Sequence, residues 1–186
     1  MTKLDAINRL LRAVQAPDLN ALTEENLTYE QQIAIDIFEQ TNTFVQGLGW
    51  WFNTFKISLQ PDINGNIPIP SDYLFVDPVD PTENYIVVNG KLYDVDNQTF
   101  DFSDKESVEL EVVLLIDFEK LPIPAQEYIV TKAEMEMQAK IFGGVTDNSL
   151  PQRETEAYLA LLKHQNKAAD YNVLYHPQIQ EALRRW

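Results

Sequence analysis

Gly47-Leu48-Gly49-Trp50-Trp51-Phe52-Asn53 sets two of the chain's three tryptophans and two of its six glycines in seven consecutive residues. Upstream of it apolar residues recur at helical spacing, and downstream they follow the pattern of strands, so the segment stands where a helix hands over to a sheet. Gly47 or Gly49 can adopt the left-handed backbone that terminates a helix. In a strand beginning at Trp50, alternation sends Trp50 and Phe52 to one side and Trp51, Phe55, Ile57 and Leu59 to the other. With both faces apolar, the segment reads as a structural joint sandwiched between bundle and sheet, with Gly49, Trp50, Phe52 and Asn53 as its joint residues. The competing reading of so much aromatic surface is a platform for a ligand or partner.

Working outward toward the start, residues 3 to 15 place Leu4, Ile7, Leu10, Leu11 and Val14 on one helical face, and Ala16-Pro17 stops the pattern. A longer helix follows. Thr23 is the expected cap, Glu24 and Glu25 suit its positive end, and Leu22 with Leu27 can form a hydrophobic staple. Its stripe of Ile33, Ile37, Phe44 and Leu48, flanked by Ala34, Phe38 and Val45, runs to the glycines. Continuous to Leu48, this helix measures about 37 Å at about 1.5 Å per residue.

Downstream, Phe55 to Leu59, Tyr85 to Val88, Lys91 to Val95 and Val108 to Ile116 read as strands. Turn chemistry separates them at Asp62-Ile63-Asn64-Gly65, Asp77-Pro78, Asp80-Pro81 and Asn89-Gly90. Asn89-Gly90 between two such runs is the strongest hairpin signal in the chain, and Pro68 and Pro70 mark edge or loop backbone. After Leu121-Pro122 helical spacing returns with Ala125, Ile129, Ala133, Met137 and Ile141, ending at Gly143-Gly144. Ser149 and Gln152 fit a capping box for a last helix whose buried face carries Ala157, Tyr158, Leu161, Leu162, Ala168 and Ala169. The expected class is α+β: a four-helix bundle (residues 1–49 and 119–172) interrupted by an antiparallel β module (50–118), with an extended C-terminal tail (173–186).

Composition narrows the chemistry. The 186 residues include no cysteine, which removes disulfides, thiolate nucleophiles and cysteine-bound metals. No stretch approaches the twenty or so apolar residues of a membrane span, and the first eighteen residues lack the unbroken apolar segment of a signal peptide. A soluble product of a cytoplasm, with no membrane partner, is expected. With 29 acidic against 14 basic residues the formal net charge is −15, which opposes attraction to nucleic acid phosphates. Sequence-specific nucleic acid binding is not expected.

No active site emerges from the residues. His164 and His176 lie twelve apart, matching no metal or catalytic spacing, and read as ordinary surface or interface histidines. Asp94-Val95-Asp96-Asn97-Gln98 starts like a calcium loop but has Thr99 where glycine is needed and Lys105 where a bidentate glutamate is needed. Asp117 and Glu119 could be paired for acid/base work, yet a strand end places carboxylates in solvent just as readily. Tyr128, Met135 and Phe142 could line a pocket, although such a stripe at helical spacing is the ordinary pattern of a core. No cofactor is implied.

Several segments, in order, carry a resemblance: Ala6-Ile7-Asn8 with Leu10-Leu11; Gly49-Trp50-x-Phe52-Asn53; Leu59-x-Pro61-Asp62; Ser71-Asp72-Tyr73-Leu74; Val88-Asn89-Gly90 with Leu92-Tyr93-Asp94; and Ile129-Val130-Thr131-Lys132-Ala133 leading to Phe142-Gly143. Together, over residues 4 to about 144, they resemble the tail tubular protein A family, the head-to-tail adaptors of short-tailed bacteriophages. The resemblance implies a non-enzymatic virion structural protein of the tail, assembled in the host cytoplasm. Its implied form is a dodecameric ring that docks under the portal protein and receives the tail nozzle protein below, with tail fibres as a further partner and a central channel for DNA. It also implies a portal-facing role for the tail, where Leu174, Tyr175, Ile179, Leu183 and Trp186 accompany Arg184 and Arg185. The alternative there is a short helix packed back on its own bundle. Two other readings stay open for the whole chain: a binding module of the same fold, and a small hydrolase with an acidic site.

Overall fold

The structure is a computed structural model and describes residues 1–23 and 25–168. The tail residues 173–186 and the call on Ala169 lie outside the described residues.

Helix α1 (Lys3–Ala13) opens with a reciprocal cap: the Thr2 hydroxyl accepts from the Asp5 N–H at 3.1 Å and the Asp5 carboxylate accepts from the Thr2 N–H at 3.2 Å. Its expected face is buried through Ile7, Leu10, Leu11 and Val14. Helix α2 (Tyr29–Gly47) begins later than Thr23 because Thr28 and Gln31 form the reciprocal cap instead. The Gln31 amide also donates to the Pro17 and Asp18 carbonyls, which ties the helix start to the loop after α1. Leu22 is exposed, so the staple with Leu27 does not form. The helix is about 28 Å long rather than 37 Å.

The buried stripe of α2 differs as well. Ala34, Phe38 and Val45 are buried together with Gln31, Thr41, Asn42 and Gln46, while Phe44 and Leu48 are 57% and 54% exposed. The more apolar row was read as the inner one; the polar residues on the inner row are accepted there because each is hydrogen-bonded to neighbouring backbone or side chains.

Strands β1 (Thr54–Leu59), β2 (Tyr73–Pro78) and β5 (Val108–Leu114) make an antiparallel sheet ordered β1-β5-β2, and β3 (Tyr85–Val88) pairs with β4 (Lys91–Asp94) as a hairpin. Asn89 and Gly90 both have positive φ, 52° and 71°, the geometry a two-residue hairpin turn demands. Asp77-Pro78, read as a turn, is instead the end of β2. Pro78 is tolerated because β2 is an edge strand and the missing N–H falls at its last residue.

After a 3₁₀ turn (Phe118–Lys120), α3 (Ile123–Phe142) buries Ala125, Ile129, Ala133 and Met137 as expected and ends at Gly143 with φ 76°. Helix α4 (Leu150–Ala168) packs along α3. The expected capping box at its start is not formed: the Ser149 hydroxyl donates to Asp147 at 2.7 Å, and the Gln152 amide donates forward to Glu156 at 2.8 Å. Two hydrophobic clusters result. One lies among the helices; the other lies between the sheet and the hairpin around Ile67, Leu92, Phe102 and Leu110.

Candidate functional site

The joint is built from the end of α2 upward. Gly49 takes φ +73°, and a Cβ there would meet the Val113 side chain at 3.2 Å. The left-handed turn and the close approach both require glycine. Gly47 has no positive φ, so Gly49 alone makes the turn. The chain then forms not a strand but a tight turn: the N–H groups of Asn53 and Thr54 both donate to the Trp50 carbonyl at 3.0 Å, and β1 starts only at Thr54. This is why simple alternation from Trp50 fails. Trp50 is buried, with its indole N–H donating to the Val45 carbonyl at 2.7 Å, whereas Phe52 and Trp51 are half-buried against the helical cluster.

Asn53 is fully buried, and its side chain is the hub of the joint. Its Oδ1 accepts from the Trp50 N–H at 2.8 Å, and its Nδ2 donates to the carbonyls of Gln46 and Leu114 at 2.9 Å each. Gln46, also fully buried, continues the clamp. Its Nε2 donates to the Ile116 carbonyl at 2.9 Å and its Oε1 accepts from the Ile116 N–H at 2.8 Å. Two amide side chains thus fasten the end of α2 to the chain leaving β5. Sequence reading missed Gln46; its only signal was a polar residue on the row with Ala34, Phe38 and Val45.

Helix α4 closes over the joint from outside. The Gln165 carbonyl oxygen accepts from the Trp51 N–H at 2.8 Å, His164 stacks on the Trp51 ring with centroids 5.9 Å apart, and Tyr158 meets Trp50 edge-on at 6.5 Å. A cleft of about 460 Å³ remains at the surface, lined by Leu48, Trp51, Phe75, Val113, Glu111 and Gln165 among others.

The other residues singled out from the sequence are not brought together. Asp94 accepts from the N–H and side-chain amide of Asn97, both at 2.9 Å, and so shapes the turn after β4. Asp117 pairs with Lys120 at 2.6 Å, and that hydrogen bond holds its carboxyl below the usual range, the wrong direction for a general acid. Glu119 accepts from the Lys3 N–H. Of the α3 stripe, Tyr128 is buried, Met135 half-buried and Phe142 exposed. Burial, ahead of the charge of Glu154, pushes the Tyr128 hydroxyl up to about 12. Among the described residues every buried polar side-chain atom has a partner, and no helix is long and apolar enough to cross a membrane. The polar chemistry of this molecule is spent on holding elements together.

The profile of the tail tubular proteins matches residues 4–171. Tail tubular protein A of Klebsiella phage KP34 is 27% identical over 164 residues, spanning 87% of this chain and 85% of that protein. A match that runs from the first helix through the joint and the sheet into the last helix settles the family: the chain belongs to the tail tubular proteins, structural components of the phage tail.

Proposed function

We propose that this chain is the subunit of a head-to-tail adaptor, a dodecameric ring that joins the portal protein to the tail nozzle and surrounds the DNA channel. The observation that carries the reading is the family match across residues 4–171, because it includes bundle, joint and sheet together rather than one shared fragment. The architecture supports a scaffold: its buried polar groups bridge elements instead of converging on a cleft, and a net charge of −15 suits a lumen through which DNA phosphates must slide without sticking. In this reading residues 1–49 and 119–172 are the bundle, 50–118 the inserted β module, and 173–186 the arm toward the portal. The joint of Gly49, Trp50, Phe52 and Asn53 holds the two bodies in fixed relation. The nozzle protein and tail fibres meet the remaining faces.

The test mixes the purified protein with the portal protein of its phage and images the product. A twelvefold ring of this chain beneath the portal is the expected result. Bare portal rings beside unassembled chain would overturn the adaptor reading in favour of a binding module with the same fold.

A further inference from the structure

Ile63 stands at the tip of the β1–β2 connection, 100% exposed. A single exposed apolar residue is ordinary; the way this one is held is not. The Asp62 carboxylate accepts from the N–H groups of Asn64 at 2.8 Å and Asn66 at 3.0 Å, and the Asp62 N–H donates to the Asn66 carbonyl at 2.7 Å. Gly65 takes φ +79°, and its carbonyl accepts from the Phe102 N–H at 2.8 Å. A Cβ on Gly65 would fall 2.1 Å from Oδ1 of Asp101, a carboxylate itself fixed by the Ser103 N–H at 2.9 Å. The turn is therefore locked from within and from behind. An apolar side chain presented without ordering cost is what an interface anchor requires.

A complement exists at the other end of the same strand. The joint cleft exposes Leu48 and Phe75, each 54% exposed, around half-buried Trp51. Thr54, the first residue of β1, also lines it, and β1 then runs away for roughly 17 Å before the loop that carries Ile63. No isoleucine side chain spans that distance, so a subunit's own knob is out of reach of its own cleft. Charge agrees: Glu111 sits on the cleft rim, while Lys91 stands beside the knob with its ammonium 3.3 Å from the Asn66 side-chain oxygen. A knob and a cleft on different parts of one surface make a head-to-tail contact, the kind that closes into rings.

We propose that Ile63 of one copy seats in the joint cleft of a second copy of this chain, forming the lateral contact of the ring; this rests on the adaptor reading above. The native chain has no cysteine, so introduced thiols report cleanly. Ile63→Cys and Phe75→Cys proteins, mixed in equal amounts, assembled on portal and oxidised, should give disulfide-linked pairs well above a control mixture in which Thr155→Cys on α4 replaces Phe75→Cys. Separately, Ile63→Asp should keep the wild-type melting temperature, since the side chain touches nothing, and lower the yield of portal-bound rings at least tenfold. Crosslinking at control level, or normal ring yield from Ile63→Asp while wild type assembles, overturns this contact and leaves the adaptor reading intact. Failure of wild type to form rings on portal removes both.

Discussion

Three backbone groups from three parts of the chain converge on the Asn53 side chain: the N–H of Trp50, the carbonyl of Gln46 in α2 and the carbonyl of Leu114 in β5. Asn53→Leu leaves all three buried and unpaired. At about 1–3 kcal/mol for each such group, a loss of at least about 3 kcal/mol is expected in denaturant unfolding. Asn53→Asp keeps the acceptor for Trp50 but turns an oxygen toward two carbonyls, which disfavours the charged form and raises the folded-state pKa of the new carboxyl. The folded protein then binds the proton more tightly than the unfolded chain, so the defect in Asn53→Asp should shrink, relative to wild type, as pH falls from neutrality; the defect in Asn53→Leu should stay level. Trp50→Ala tests the neighbour. Truncating a buried aromatic costs about 3–5 kcal/mol, a large part of an ordinary domain's stability, and the indole bond to Val45 is lost as well. A Trp50→Ala protein that melts like wild type yet fails only in partner binding would move Trp50 from core to surface.

At the level of elements, the sequence was most legible where one local rule decides. The Asn89-Gly90 hairpin, the α3 face spaced by four and the glycine stop at Gly143 all follow from turn stereochemistry or helical period alone. It was least legible where long-range hydrogen bonds choose between rows or starts. Gln46 and Asn42 occupy the inner row of α2 because Ile116 and Gln46 supply their partners, and no periodicity reveals a partner seventy residues away. Likewise Trp50 to Asn53 reads as alternating strand until the Asn53 amide is seen to close it into a turn. The aspartate turns are a second local rule with a measurable consequence. Backbone N–H bonds from Asn66 and Asn64 lower the Asp62 pKa, and bonds from Thr82, Ser103 and Ser149 do the same for Asp80, Asp101 and Asp147. A depressed carboxyl pKa contributes stability above the unfolded value of 3.8 that is lost as pH falls through the lower folded value. The urea midpoint should therefore drop between about pH 4 and pH 2, and Asp62→Asn should flatten part of that drop. An Asp62→Asn profile superimposable on wild type would show that the turn bonds do not favour the charged form.

For the molecule as a whole, the remaining question is what the last residues do for a chain whose described packing is complete at or before Ala168. Residues 174–186 hold Ile179, Leu183 and Trp186 beside Arg184-Arg185, the one adjacent basic pair in a chain of net charge −15. Two roles compete: an arm that wraps the portal and meets its ordering cost on binding, and a segment that packs back on its own bundle. They differ in where the stabilisation is realised. None of the contacts that hold α1 to α3, fasten α2 to β5 or seat α4 on the joint involves these residues, so deleting 174–186 leaves each in place. On the arm reading the melting temperature should stay within about 2 °C, the effect of a surface change of about 0.5 kcal/mol in a domain of this size, while co-assembly with portal is lost. A truncated protein that melts several degrees lower and still assembles on portal would place those apolar residues against the bundle and assign the portal contact to another face.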